Sequence, residues 1–151
     1  MSKTWSETTF SNTAGPSYLR LLGDGTLEQR VAELERLLER CTVCPRDCLN
    51  NRLNDEIAAC YSGRWPIVSS YTAHFGEEPP LVGTKGAGNI FFGNCNLRCV
   101  YCQNFQISQD YQVQKANEVS VERLAEMALE LQARGCHNIG FVSPTHFAPQ
   151  M

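Results

Sequence analysis

Runs of lysine or arginine are missing from this chain, and its formal net charge is −3. No basic stripe exists to neutralise a phosphate backbone, which excludes nucleic acid as an expected partner. Long hydrophobic runs are missing too: no stretch approaches the roughly eighteen apolar residues of a membrane span. The opening Met1-Ser2-Lys3-Thr4-Trp5-Ser6-Glu7 has no apolar signal core. These absences point to a cytoplasmic protein without a membrane partner. At 151 residues the length suits one domain with a real core plus a small appendage.

Cysteine, by contrast, is plentiful. Eight cysteines without a secretion signal argue for metal ligation over disulfides, because reducing compartments keep thiols free. Four fall at Cys41, Cys44, Cys48 and Cys60, three at Cys95, Cys99 and Cys102, and Cys136 stands alone.

Residues 1–25 are polar and broken by Gly15-Pro16 and Gly23-Asp24-Gly25, so they read as an irregular lead-in, with a short amphipathic piece at 18–22. Thr26 and Gln29 have the spacing of a capping box, predicting a helix over 26–40. Leu27, Val31, Leu34, Leu37 and Leu38 would form its packing stripe. Pro45 then stops the helix and holds open the Cys41-x2-Cys44-x3-Cys48 turn. With Cys60 this makes four soft ligands, enough for a closed zinc site or a second iron-sulfur cluster; the spacing does not separate the two.

Residues 67–73 are rich in strand formers. His74, Glu77 and Glu78 follow beside Pro79-Pro80, as contacts to a cluster, cofactor or substrate or as a solvated turn. Gly83, Gly86 and Gly88 are too irregular for a phosphate cradle. Asn89-Ile90-Phe91-Phe92-Gly93 reads as a buried strand leading to Cys95. A helix capped by Ser120 runs to about residue 134, with Gly135 as its stop, and a strand over 138–142 follows. Strand, helix, strand with a crossover predicts a right-handed βαβ unit with parallel strands. Cys136 and His137 sit at the start of its second strand, away from the cysteine loop, and read as structural.

Cys95-x3-Cys99-x2-Cys102 places three thiolates on one short loop at a strand's C-terminal end, which suits an iron-sulfur cluster. Three thiolates for four irons leave one iron open, the condition that separates a catalytic site from a closed structural one. The loop resembles the signature of the radical S-adenosylmethionine (SAM) enzymes. Within that group the run from Glu77 to Asn104 is similar to the activating enzymes of pyruvate formate-lyase, and Cys41-Thr42-Val43-Cys44-Pro45-Arg46-Asp47-Cys48-Leu49-Asn50-Asn51-Arg52 resembles a cysteine motif of the same subgroup.

The resemblance implies an α/β protein: the start of a partial (β/α) barrel over 65–151, preceded by a helical, cysteine-rich module over 26–64. It implies Cys95, Cys99 and Cys102 as ligands of a 4Fe-4S cluster that donates an electron to SAM, yielding methionine and a hydrogen-abstracting 5′-deoxyadenosyl radical. Tyr101 matches the aromatic position before the third ligand, and with Asn104 it joins the expected cofactor contacts. Related enzymes carry Gly-Gly-Glu after the second strand to hold the SAM amino group; here Ser143-Pro144-Thr145-His146 stands instead, and Ser143, Thr145 and His146 can hydrogen-bond in its place. Implied partners are an electron donor such as flavodoxin or ferredoxin and a glycyl-radical protein or small-molecule substrate. The residues alone also allow an iron-sulfur electron-transfer protein or a zinc-stabilised interaction module. A full barrel typically needs about 250 residues, so the chain reads as a fragment of a longer protein that does not turn over by itself.

Overall fold

The computed structural model describes residues 16–151. The expected lead-in therefore lies outside the described residues up to position 15, as does the stretch without a signal core. The chain divides into two units, residues 1–33 and 34–151. In the first, helix α1 spans Ser17–Gly23 and helix α2, Thr26–Arg36, begins. The cap differs from the expected box. Thr26 is already helical, and its amide donates to Asp24 Oδ1 at 3.0 Å, so the short carboxylate before the turn satisfies the orphan donor. The helix also stops at Arg36, four residues early. The next amides bond three residues back, Leu37 N to Leu34 O and Leu38 N to Glu35 O, the tighter winding common at helix ends. Cys41 N and O then pair with Asn50 O and Leu49 N, which turns the chain into the cysteine-rich segment. Of the expected stripe, Val31, Leu34 and Leu37 are exposed and Leu38 alone is buried.

The second unit is built on a three-stranded sheet in the order β1-β2-β3. Strand β1, Val68–His74, runs antiparallel to β2, Ala87–Phe92, after the four-residue helix α3, Pro79–Val82. Two further short helices, α4 at Phe105–Ser108 and α5 at Tyr111–Gln114, precede α6 at Val121–Ala133. Strand β3, Ile139–Val142, then pairs in parallel with β2, Gly88 opposite Ile139 and Phe91 opposite Val142. The expected βαβ unit is therefore present, with Ser120 Oγ accepting from Arg123 N at 3.1 Å as N-cap and Gly135 at φ +96° as stop. The antiparallel β1 stands outside that pattern and closes the β2 edge. Together these make a mixed α/β fold consistent with part of a radical SAM barrel.

Alternation along β2 sorts its faces. Ile90 and Phe92 turn toward α6, whose Leu124, Met127 and Leu131 recur at helical spacing, and Ile67 and Phe147 complete this core. Ala87 and Asn89 face a groove shared with Gly140 and Val142 of β3. No helix among the described residues is long and apolar enough to cross a membrane.

Candidate functional site

Parallel pairing puts the C-terminal ends of β2 and β3 side by side, so the loop starting at Gly93 and the turn starting at Ser143 are neighbours. This edge of an α/β sheet is where loops build sites. Gly93 is required by space: a Cβ there would stand 2.5 Å from Ile67 Cγ2 and 2.6 Å from Gln114 Oε1. Its amide donates to Ile67 O at 2.9 Å. Asn94 follows in the left-handed region, φ +61°, fully buried. Its amide donates to Ile107 O at 2.7 Å and its Nδ2 to Tyr61 O at 2.8 Å. These bonds aim the chain out of the strand and into the cysteine loop.

Cys95, Cys99 and Cys102 are all free and half-buried. Leu97 N lies 3.4 Å from Cys95 Sγ, and Ser108 Oγ lies 3.3 Å from Cys102 Sγ. Hydrogen bonds to sulfur are among the features that set an iron-sulfur potential. Gln109 Nε2 pins the Cys99 carbonyl at 2.8 Å. Arg98, at φ +53°, lays its guanidinium 4.6 Å over the Tyr61 ring, which stacks on Tyr111, and its buried Nη1 has no hydrogen-bond partner. Three free thiols on one loop, with Arg98 between the first two in the chain, are a donor set that suits an iron-sulfur cluster with one open iron.

The other expected residues fall as follows. Tyr101 is 86% exposed and Asn104 is exposed at the start of α4. Ser143 is half-buried at φ +58°, directly after β3, and Thr145 is exposed. His146, expected at the cofactor, is fully buried, because the turn Thr145–Gln150 folds back beneath the sheet. Its Nε2 lies 3.2 Å from Gly93 O, a pure acceptor, so Nε2 carries the proton. Burial above all, with the charge of Arg52, lowers the imidazole to about 4 against the raising effect of its bond to Gly93. His146 thus props the start of the loop.

His74, Glu77 and Glu78 lie at the opposite end of the sheet. His74 pairs with Ala87, where β2 begins, and its Nε2 stands 3.7 Å from Glu77 Oε1, which also accepts from Asn89 Nδ2 at 3.4 Å. Cys136 and His137 are at that same end, where Gly88 N donates to Asn138 O. Cys41, Cys44, Cys48 and Cys60 line one pocket with Arg52 and His146. Among the described residues, no three His, Cys, Asp or Glu side chains stand in the geometry of a single metal ion. A cluster gives each thiolate its own iron and asks for wider spacing. Sequence reasoning missed Arg46, Arg52 and Asn94. Only the position of the arginines within the cysteine motif could have signalled them.

Residues 89–150 match the Radical SAM superfamily. This radical SAM segment begins within β2, contains all three loop cysteines and ends beyond β3. Among curated proteins, the chain is 35% identical over 89 residues to "Uncharacterized protein MJ0674" of Methanocaldococcus jannaschii, covering 56% of this chain and 24% of that protein. It is 29% identical over 109 residues to "Uncharacterized protein MJ0808" of the same organism, covering 64% and 32%. The chain thus spans about a quarter to a third of the length of these relatives. No solved structure gives a significant match.

Proposed function

We propose that Cys95, Cys99 and Cys102 hold a 4Fe-4S cluster and that the protein to which this chain belongs is a radical SAM enzyme of the activating-enzyme-like kind. The observation that carries this reading is the placement of three half-buried thiols at the C-terminal end of β2, inside the radical SAM segment and beside the end of parallel β3. When bound, the cluster supplies the electron that cleaves SAM reductively to methionine and a 5′-deoxyadenosyl radical. The chain's own residues do the holding. Gly93 and Asn94 aim the loop, Gln109 fixes its middle, and Ser143 and Thr145 offer hydroxyls to SAM from the neighbouring strand end. Tyr101 and Asn104, both exposed, would cover the bound cofactor.

A flavodoxin- or ferredoxin-type donor would deliver the electron in a reducing compartment such as the cytoplasm, where eight free thiols persist. The substrate is a glycyl-radical-type protein or a small molecule. Anaerobic reconstitution with iron and sulfide tests the reading. The protein should take up four irons at the loop and change its reduced paramagnetic spectrum on adding SAM, and the triple Cys95/Cys99/Cys102→Ala variant should lose those four irons and the response to SAM. An unchanged spectrum with SAM would favour a simple electron carrier.

A further inference from the structure

A second group of thiols lies outside the radical SAM segment. Cys41, Cys44, Cys48 and Cys60 line one pocket, and Cys41 and Cys60 are 7% and 8% exposed. Arg52 borders the same pocket and is 1% exposed. Its Nε donates to Gly63 O at 2.9 Å and its Nη1 to His146 O at 2.6 Å, both neutral carbonyls. Its Nη2 has no partner, and among the described residues the guanidinium forms no ion pair with a carboxylate. His146 Nδ1, also at the pocket, is the second buried nitrogen without a partner.

A buried guanidinium cannot shed its proton, and an uncompensated buried charge is strongly unfavourable. The Phe147 ring, its centroid 5.5 Å from Cζ, offsets part of this charge, and the pocket is where a full counter-charge can sit. Asp47 borders it but is exposed and out of ion-pair range, which leaves the thiols. A metal-bound thiol is deprotonated, and four thiolates on a divalent ion or a four-iron core carry net negative charge. We propose that Cys41, Cys44, Cys48 and Cys60 form a second, tetrathiolate metal site whose negative charge is balanced by Arg52. As they stand these thiols do not converge on a single ion, and a cluster, which gives each thiolate its own iron, does not ask them to. This site stands independently of the radical reading, since none of its cysteines is in the loop.

The test uses the full chain with Cys95, Cys99 and Cys102 changed to Ala, which silences the loop. Zinc, iron and acid-labile sulfide are measured after zinc-supplemented expression and after anaerobic reconstitution. One zinc per chain identifies a single-ion site and retained iron with sulfide identifies a cluster; both uphold the proposal. Absence of any bound metal in a protein with a folded circular dichroism spectrum overturns it. A second measurement titrates Co2+ and follows the thiolate-to-cobalt charge-transfer band. Cys44→Ala should abolish the band, and Arg52→Met should weaken Co2+ binding by at least about tenfold, since losing a buried charge partner is costly. Equal affinity in Arg52→Met overturns the counter-charge role.

Discussion

The Arg46 guanidinium clamps the cysteine loop: its Nε donates to the Asn96 carbonyl oxygen at 2.7 Å, across fifty positions of sequence. Its Nη2 reaches the Leu97 carbonyl oxygen at 3.1 Å. Arg46 lies between Cys44 and Cys48, while Asn96 and Leu97 lie between Cys95 and Cys99, so one side chain joins the two cysteine motifs. Anything that orders the first motif thereby orders the second.

Arg46→Ala should therefore loosen the loop, costing about 1–2 kcal/mol for two charge-assisted hydrogen bonds at a partly exposed site. Iron and sulfide incorporated at the loop should fall with it. Arg46→Lys should recover only part of either, because an ammonium lacks the planar fork that spans both carbonyls. Full recovery with lysine, by denaturant unfolding and iron analysis, would refute the fork argument.

Gly93→Ala should destabilise the fold by roughly 1–3 kcal/mol through overpacking. The added methyl meets Ile67 Cγ2 and Gln114 Oε1 at 2.5 and 2.6 Å, and the backbone is held in place by the bond to Ile67 O. Urea unfolding measures the loss. A neutral result would mean that the strand end can shift, and the loop would then not be fixed at its root.

His146 should make stability fall with acid. Its folded value is held down to about 4 against an ordinary 6.5, so the unfolded chain takes up a proton first. The stabilisation is fully present above about 6.5 and is lost as pH falls toward about 4, amounting to ~3 kcal/mol. The His146→Gln variant should lose less stability than the parent over that window in matched melts. Parallel curves for the two would place the titrating group elsewhere.

Leu131→Ala should cost about 2–5 kcal/mol, since Leu131 is fully buried between α6 and the sheet and its removal leaves a cavity. Leu129→Ala, two positions away on an exposed face, should change little. Thermal melts of the pair check which face of α6 carries the packing.

Local interactions made much of this legible from residues alone. The 3.6-residue rhythm of Leu124, Met127 and Leu131, the Ser120 cap and the Gly135 stop mark α6, because all act within a few residues of one another. The short apolar run into Gly93 marks β2, and the Cys95, Cys99 and Cys102 spacing marks the loop as a metal-binding candidate before any contact is known. The same local rules misplace the end of α2, where pairing of Cys41 with Asn50 and Leu49 competes with helix propagation. What remained hidden depends on partners far apart in the chain. His146 reads as a hydrogen-bonding contact to the cofactor after a strand, and only folding shows it buried against Gly93 with Arg52 bonded to its carbonyl, ninety-four positions away. Arg46 and Arg52 read only as members of the cysteine motif. Tertiary structure decided that one grips the cysteine loop and the other is sealed beside four thiols, because burial and long-range hydrogen bonding are set by packing and leave no periodic trace in the sequence.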